Sequence, residues 1–405
     1  MKFICDYNEL LSGLEKVAIV AEDSNSSDEI KNIIFRFEKR DDDMNVCTLV
    51  GVNATTTYRH LLAYDKYTLQ LDDAELTDRV CFMQIKARDL LYFLTAYKSV
   101  RRTTVDEVTF EPKDNVQINC SVLEYSDDDD KIPFVSNWLF NNIPIKPNML
   151  PSINAQPLNR PIDINKEDLS LYITTMLPIL DGKASLYNIL NFGSDYAVAF
   201  SQGFAALMKN KLAENHIFES MSLSKKNLEF LDKVVCTQDE IKVAKSDTHL
   251  YVKTDKSESF IAYNPRITEY ETYLKMYNKE SGFCVDRLFL KDIIKRLALT
   301  DELVEGTVNP SLNTLTLRNT RFTQDLPLLK QQGLENYDYF CFRITPNNLN
   351  GAIIGADKSF SSNGYIYFSP QNTSTATMIF TDDTDDWYSV ARVKCSYKTV
   401  NEQSS

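Results

Sequence analysis

Histidine is almost missing from this chain: three occur in 405 residues, His60, His216 and His249, far apart and with no partner spacing. Each reads as a surface or strand position. Glycine is also scarce, at 11, and none of it builds a phosphate-cradling loop. A Gly-x-Ser-x-Gly elbow and a His-Glu-x-x-His helix are both lacking. No catalytic residue is nominated, and an enzyme is the least favoured of three readings. The eight cysteines (5, 47, 81, 120, 236, 284, 341, 395) are scattered through apolar runs such as Val80-Cys81-Phe82 and Phe340-Cys341-Phe342, with no Cys-x-x-Cys pair. That usage argues against a disulfide or zinc framework and reads as buried free thiols in a reducing, cytoplasmic setting. No run of about 18 apolar residues exists, and the N-terminus lacks a basic stretch followed by an apolar one, so neither a membrane span nor a secretory signal is expected. Two acidic runs, Asp127-Asp128-Asp129-Asp130 and Asp382-Asp383-Thr384-Asp385-Asp386, lack the spaced ligands and glycine of a calcium loop. They read as solvated hairpin turns, so no metal and no cofactor is expected.

What is present is a pattern stated three times. An apolar strand runs into an amphipathic helix at Phe3-Ile4-Cys5 to Leu14, again at Ile162-Asp163-Ile164 to Ile173, and again at Phe283-Cys284-Val285 to Ile294. A second strand-to-helix unit recurs at Ile85-Lys86-Ala87-Arg88, Leu223-Ser224-Lys225-Lys226 and Ile344-Thr345-Pro346-Asn347. The two units lie 59 residues apart in the second copy (164 to 223) and in the third (285 to 344), and 80 apart in the first (5 to 85). An insertion between the first copy's helices accounts for the difference. Period-2 strands lie between the helices, among them Lys31 to Phe37, Tyr196 to Phe200 and Leu312 to Arg318. Gly364 to Phe368 and Ala376 to Phe380 form a hairpin.

Each copy therefore reads as α+β, two helices packed on antiparallel sheet. Residues 141–161 hold five of the thirteen prolines and read as a linker. With a second boundary near Asn278 to Gly282, three domains are expected at 1–150, 151–278 and 279–405, ending in a polar tail from Ser396.

Charge adds a surface to this architecture. The chain carries −13 overall, yet the segment Lys86 to Arg102 holds Lys86, Arg88, Lys98, Arg101 and Arg102 against Asp89, or +5 − 1 = +4. Asp286 to Arg296 holds Arg287, Lys291, Lys295 and Arg296 against Asp286 and Asp292, or +4 − 2 = +2. Lys225, Lys226 and Lys233 against Glu229 and Asp232 leave +1. A charged outer face is normal for an amphipathic helix. A positive bias repeated in three copies of an acidic chain points instead to a phosphate-facing surface, suited to non-specific contact with double-stranded DNA. Aromatic platforms for single strands are missing from these faces.

On these residues the chain resembles the bacterial beta sliding clamp family, the processivity rings of replicative DNA polymerases. The similarity lies in Met1-Lys2-Phe3 with the Leu10-Leu11…Leu14 helix, then Asn32-Ile33-Ile34, Val50-Gly51-Val52-Asn53 and Ile85-Lys86-Ala87-Arg88. Arg266-Ile267-Thr268-Glu269-Tyr270 stands where the family has Arg-Phe-Pro-Asp-Tyr. The layout is that of a divergent, phage-encoded member. The resemblance implies three clamp domains, a head-to-tail homodimer closing a six-domain ring, helices lining the hole, and DNA polymerase and clamp loader as partners.

It also implies a partner-peptide pocket between the second and third domains, at Gly203, Phe204, Ala206, Tyr273, Val390, Ala391 and Arg392. The chain departs from the family there. Ser201-Gln202-Gly203-Phe204-Ala205-Ala206 replaces Thr-Asp-Gly-His-Arg-Leu, and Ala391-Arg392-Val393-Lys394 replaces Met-Pro-Met-Arg. Phe204 and Val390 read equally as core. The runner-up reading is a repeat-built structural or assembly protein, viral in origin, whose helix faces contact protein.

Overall fold

The computed structural model describes residues 1–22, 31–39, 45–70, 80–99, 103–113, 116–126, 132–180, 188–201, 203–266, 270–275, 278–300, 302–353, 363–382 and 386–400. The first copy runs β1 (Lys2–Asp6), α1 (Tyr7–Ala21), β2 (Asn32–Lys39), β3 (Asn45–Val52), β4 (Thr56–Leu61), β5 (Tyr67–Gln70), β6 (Val80–Lys86), α2 (Ala87–Ala96), β7 (Thr103–Pro112), β8 (Gln117–Ser126) and β9 (Pro133–Asn141). A connector with the short helix α3 (Leu150–Ile153) follows.

The second copy runs β10 (Ile162–Asp163), α4 (Lys166–Met176), β11 (Ile189–Phe192), β12 (Tyr196–Ser201), β13 (Phe204–Lys209), β14 (Met221–Ser224), α5 (Lys225–Phe230), β15 (Lys242–Lys245), β16 (His249–Lys253) and β17 (Ser257–Ala262). A second connector holds α6 (Glu271–Leu274). The third copy runs β18 (Gly282–Asp286), α7 (Arg287–Leu297), β19 (Val304–Asn309), β20 (Thr314–Arg318), β21 (Thr323–Pro327), β22 (Lys330–Gln332), β23 (Tyr337–Ile344), α8 (Pro346–Ile353), β24 (Asn363–Pro370), β25 (Thr375–Thr381) and β26 (Trp387–Thr399). With β5 and β22 set aside, every copy is strand, helix, four strands, helix, three strands. All six helices expected from the repeat are present. β5 pairs with β1 and supplies part of the extra length in the first copy.

Side chains at the strand ends start the helices. Asp6 accepts from the Glu9 amide at 2.9 Å, and Asp286 from the Phe289 amide at 2.8 Å. Ser224 accepts from the Asn227 amide at 3.2 Å, and Thr345 from that of Asn348 at 3.2 Å. Each satisfies an amide that a first helical turn leaves unpaired. Gly13 and Gly51 then let α1 lie close to its sheet. A Cβ on Gly13 would come within 2.6 Å of the His60 ring, and one on Gly51 within 2.7 Å of the Val17 carbonyl.

The chain divides into two compact units. Unit 1 is Met1–Lys166 with Lys233–Tyr263, and unit 2 is Glu167–Asp232 with Asn264–Ser405, so the second copy contributes to both. Unit 1 contains a five-stranded sheet, β5-β1-β7-β8-β9, and an eight-stranded one, β10-β15-β16-β17-β4-β3-β2-β6. Its core is ring-rich: Phe3 lies 5.1 Å from Phe37, and Phe35 lies 5.2 Å from Phe110, centroid to centroid. Unit 2 contains one branched sheet in which β26 pairs with β13, β25 and β23. Phe340 stacks on Phe368 at 3.8 Å in its core.

Two expectations are corrected. The proline-rich stretch 141–161 is more than a linker, because Met149 and Ile153 are buried against Ile34, Val50 and Val52 on the sheet face of unit 1. Proline at the start of the short turns sets φ and costs no hydrogen bond, so these prolines shape a packed strap. The polar tail also starts later than Ser396. Ser396 to Thr399 complete β26 and pair with Tyr337 to Cys341 of β23.

Candidate nucleic-acid interface and docking faces

The expected DNA-contacting cations lie at the ends and outer faces of α2, α5 and α7. On α2 the residues Ala87, Leu90, Phe93 and Leu94 turn inward, leaving Lys86 and Arg88 exposed. Lys98 is exposed and pairs with Glu15 of α1. Arg101 and Arg102 lie outside the described residues. On α5 the Lys225 ammonium donates to the Leu180 carbonyl at 2.7 Å and Lys226 is exposed; Lys233, also exposed, lies beyond α5 in the turn Leu231–Val235 and belongs to unit 1. On α7 Lys295 and Arg296 are exposed in the last turn, where cations also complement the helix dipole, and Lys295 lies 3.8 Å from Asp292. Lys291 is half-buried. Arg287 differs: it is 7% exposed under the β18–β24 pair, so its charge is not offered to solvent. The remaining helices carry no positive bias, with Glu9, Glu15 and Lys16 on α1, Lys166, Glu167 and Asp168 on α4, and no charge on α8.

The seven expected peptide-pocket residues all belong to unit 2. Antiparallel pairing sets Phe204 opposite Ala391, Ala205 opposite Val390 and Ala206 opposite Ser389. Alternation then divides them between two faces. Phe204, Ala206 and Ala391 face α8: Gly351 sits against the Phe204 ring, and Ser389 Oγ donates to the Ala352 carbonyl at 2.6 Å. Val390, Arg392 and Tyr273 belong to the opposite, outer face. Gly203 makes the β12–β13 turn with φ +105°, a conformation open mainly to glycine.

That outer face is an aromatic cluster which the sequence reading did not assemble. Val198, Phe200, Ala205, Leu207, Tyr367, Ile379, Tyr388 and Val390 bury one another beneath Tyr270, and Tyr273 lies 5.4 Å from Phe200. The signal for it was the alternation of Tyr196, Val198 and Phe200 with Ala197 and Ala199. Large side chains on one side and alanine on the other mark which face carries the rings.

Unit 1 is more polar at the corresponding place. Arg59 of β4 is buried. Its guanidinium donates to the Ser152 and Ala155 carbonyls at 3.3 and 2.7 Å, lies 3.5 Å from Glu258 and sits over the Phe260 ring at 5.0 Å. It thereby ties the connector to the sheet. On the inner side His60 is 2% exposed, with its imidazole pKa pushed down to about 3 by burial and by Lys16 and Lys256. It stays neutral, as a core histidine should.

Among the strands at sheet edges are β9 and β21. β9 carries Trp138, 52% exposed, with Val135 and Leu139 also exposed, and its far side has no strand partner among the described residues. β21 likewise ends its sheet. Among the described residues no group of three or more His, Cys, Asp and Glu side chains could hold a metal ion. Of the acidic runs, Asp382 and Asp386 are described: Asp386 lies 3.0 Å from Lys211, and Asp382 is 5% exposed, buried at the end of β25 rather than solvated as expected. Asp127 to Asp130, Asp383 and Asp385 lie outside the described residues. No described helix is long and apolar enough to cross a membrane.

Three repeated α+β units with this strand order define the DNA-clamp fold. The beta subunit of DNA polymerase III from Pseudomonas aeruginosa has it, with a TM-score of 0.71 at 14% identity over 97% of this chain and 99% of that one. A DNA polymerase sliding clamp from Bacillus subtilis matches with a TM-score of 0.72 at 12% identity, over 97% and 98% of the two chains. The beta chain of DNA polymerase III from Streptococcus pneumoniae matches with a TM-score of 0.72 at 11% identity, over 97% and 99%. No protein-family model matches the sequence, and no curated protein does. The likeness is therefore one of fold, held over the whole length.

Proposed function

We propose that the protein is a DNA sliding clamp: a homodimeric ring that encircles double-stranded DNA, tethers a DNA polymerase, is opened by a clamp loader and catalyses nothing itself. Three clamp domains at 1–150, 151–278 and 279–405 would make up each subunit. The observation that carries the reading is an unfinished repeat. The last strand of the second copy pairs with β4 of the first, and the last strand of the third pairs with β13 of the second. The equivalent strands left over are β9 and β21. Antiparallel pairing of one subunit's β9 with its partner's β21 completes the same junction, and two such contacts close a ring.

Lys86, Arg88, Lys98, Lys226, Lys233, Lys291, Lys295 and Arg296, with Arg101 and Arg102, would face phosphates in the hole. They neutralise backbone charge without reading bases, which permits sliding, and the acidic remainder keeps DNA off other surfaces. The outer face around Tyr273, Val390 and Arg392, with the neighbouring turn at Gly203, is the partner site this reading expects.

The test is topological. Loaded protein should stay on nicked circular duplex and be lost when the circle is cut, and it should have twice the native mass of the 46.5 kDa chain. A stable monomer, or equal retention on linear duplex, would sink the proposal. Filaments would favour the assembly-protein reading, since the same strand edges make an open chain when the rotation does not close.

A further inference from the structure

Unit 1 contains a cleft of about 370 Å³ between the connector and the outer face of β15–β17, a size at which pockets hold ligand side chains. Ala155, Pro157, Leu158, Ala244, Tyr251 and Phe260 wall it. Lys245 and His249 stand at its rim, and no carboxylate lines it, in a chain of net charge −13. Its floor is a cross-strand row, Thr57, Phe260, Tyr251 and Ala244.

The same row exists in unit 2 as Ala205, Val390, Ile379 and Tyr367. There it is sealed. The Tyr367 ring stands where unit 1 has only Ala244, and Tyr270 closes over it. What seals it is a stretch of polypeptide, Tyr270-Glu271-Thr272-Tyr273, an aromatic pair with a carboxylate between. The chain thus shows, on one copy of the surface, the kind of occupant that the other copy leaves out.

We propose that the unit 1 cleft docks a short segment of a partner protein carrying one or two aromatic anchors flanked by acidic residues. The anchors fill the space beside Ala244, and the carboxylates meet the Lys245 and His249 rim. The inference deepens the clamp reading by adding a second place where a clamp can hold a client, and it rests on that reading only for the client's role.

The probe is fluorescent acetyl-Glu-Tyr-Glu-Thr-Tyr-amide, which copies residues 269–273, titrated into the full chain by anisotropy, with a photoreactive phenylalanine analogue in place of either tyrosine for mapping. Saturable binding should crosslink to residues 151–159 or 244–251. Leu158 is 83% exposed, so Leu158→Glu leaves the fold alone and should weaken binding at least about fivefold. Ala244→Tyr supplies the ring found in unit 2 and should abolish binding; circular dichroism and native mass check its fold. Glutamine for both glutamates in the probe should also weaken binding about fivefold.

Crosslinks confined to unit 2, binding unmoved by both variants, competition by a thymidine oligonucleotide, or no saturation by about 1 mM would each overturn the inference. Ring closure is read separately from native mass and retention on circles, so failure of the cleft and failure of the clamp reading are distinguishable.

Discussion

The junctions β4–β17 and β13–β26 follow one plan and are finished differently. In unit 1 the outer row Thr57, Phe260, Tyr251, Ala244 is followed, one step along, by Arg59 facing Glu258. In unit 2 the row Ala205, Val390, Ile379, Tyr367 is followed by Leu207 facing Tyr388. A guanidinium holds its connector through a few carbonyls at fixed distances and leaves the space around them unfilled. Rings hold theirs by area and fill the space. The ends of the two rows differ in the same sense: Ala244 leaves a cleft open in unit 1, and Tyr367 with Tyr270 fills the equivalent space in unit 2. Topology sets where the junction is, and side-chain chemistry decides whether it is a socket or a plug.

Removing each fastening is the strongest way to break the comparison. Arg59→Ala leaves the Ser152 and Ala155 carbonyls without their donor, while the half-exposed Glu258 keeps Lys253 at 3.7 Å, and should cost about 2–4 kcal/mol of stability in urea unfolding. Arg59→Lys should recover little, because an ammonium lacks the fork. Leu207→Ala should cost about 2–5 kcal/mol through lost contact and a cavity, with no dependence on salt. If Arg59→Ala cost under about 1 kcal/mol, the strap would be held by Met149 and Ile153 alone, and the contrast between polar and apolar fastenings would fail.

A third junction of the same kind is proposed between subunits, and it should behave like the apolar one. Trp138→Glu combined with Leu139→Glu, on the exposed β9, should weaken dimerisation by about 2 kcal/mol, roughly 30-fold, by sedimentation across a concentration series. The fold of unit 1 should survive, since both side chains are half-exposed already. An unchanged dimer would place the subunit contact elsewhere.

The inner faces of the two junctions differ in titration. Unit 1 buries His60 there, whereas unit 2 presents Phe204, Ala206 and Met208. His60 has a folded pKa of about 3, below the unfolded 6.5, so below pH 6.5 the unfolded chain binds a proton that the folded one refuses. Stability from this site is whole above pH 6.5 and should fall by about 1.4 kcal/mol per pH unit toward pH 3. Hydrogen exchange resolved by unit should show unit 1 loosening first, and His60→Gln should remove that part of the slope. Equal acid sensitivity in both units would remove the distinction.

Much of this architecture was legible in the sequence, for identifiable reasons. Period-2 and helical spacing are local, and Asp6, Ser224, Asp286 and Thr345 cap helices within three residues of themselves, so six helices and their repeat could be read directly. Pairing partners were not legible. Nothing local in Thr56–Leu61 says that it meets Ser257–Ala262, so the sharing of the second copy between two units stayed hidden. The connector reads as a linker because its five prolines are conspicuous, whereas Met149 and Ile153 are isolated apolar residues that no period marks as anchors. The site was legible in part. The strands bearing Phe204 and Val390 are neighbours, but which residues share a face depends on register, and one residue of register exchanges the faces. Arg287 reads as a surface cation because charge is visible in sequence and depth is not.

The smallest effect tests whether the repeat is energetic as well as geometric. Asp6 and Asp286 occupy the same position, one in each unit, and each caps the first turn of its helix at 2.9 and 2.8 Å. Asp6→Ala and Asp286→Ala should each cost about 1 kcal/mol, since each removes one acceptor for an otherwise unpaired amide and one negative charge from a helix N-terminus. Asp6 also lies 3.9 Å from Lys66, but at that distance and exposure the ion pair adds little. The two losses should therefore agree within a few tenths of a kcal/mol in thermal unfolding. A clear excess at Asp6 would mean that the 3.9 Å pair contributes more than its exposure suggests, and that the repeat matches in geometry without matching in energy.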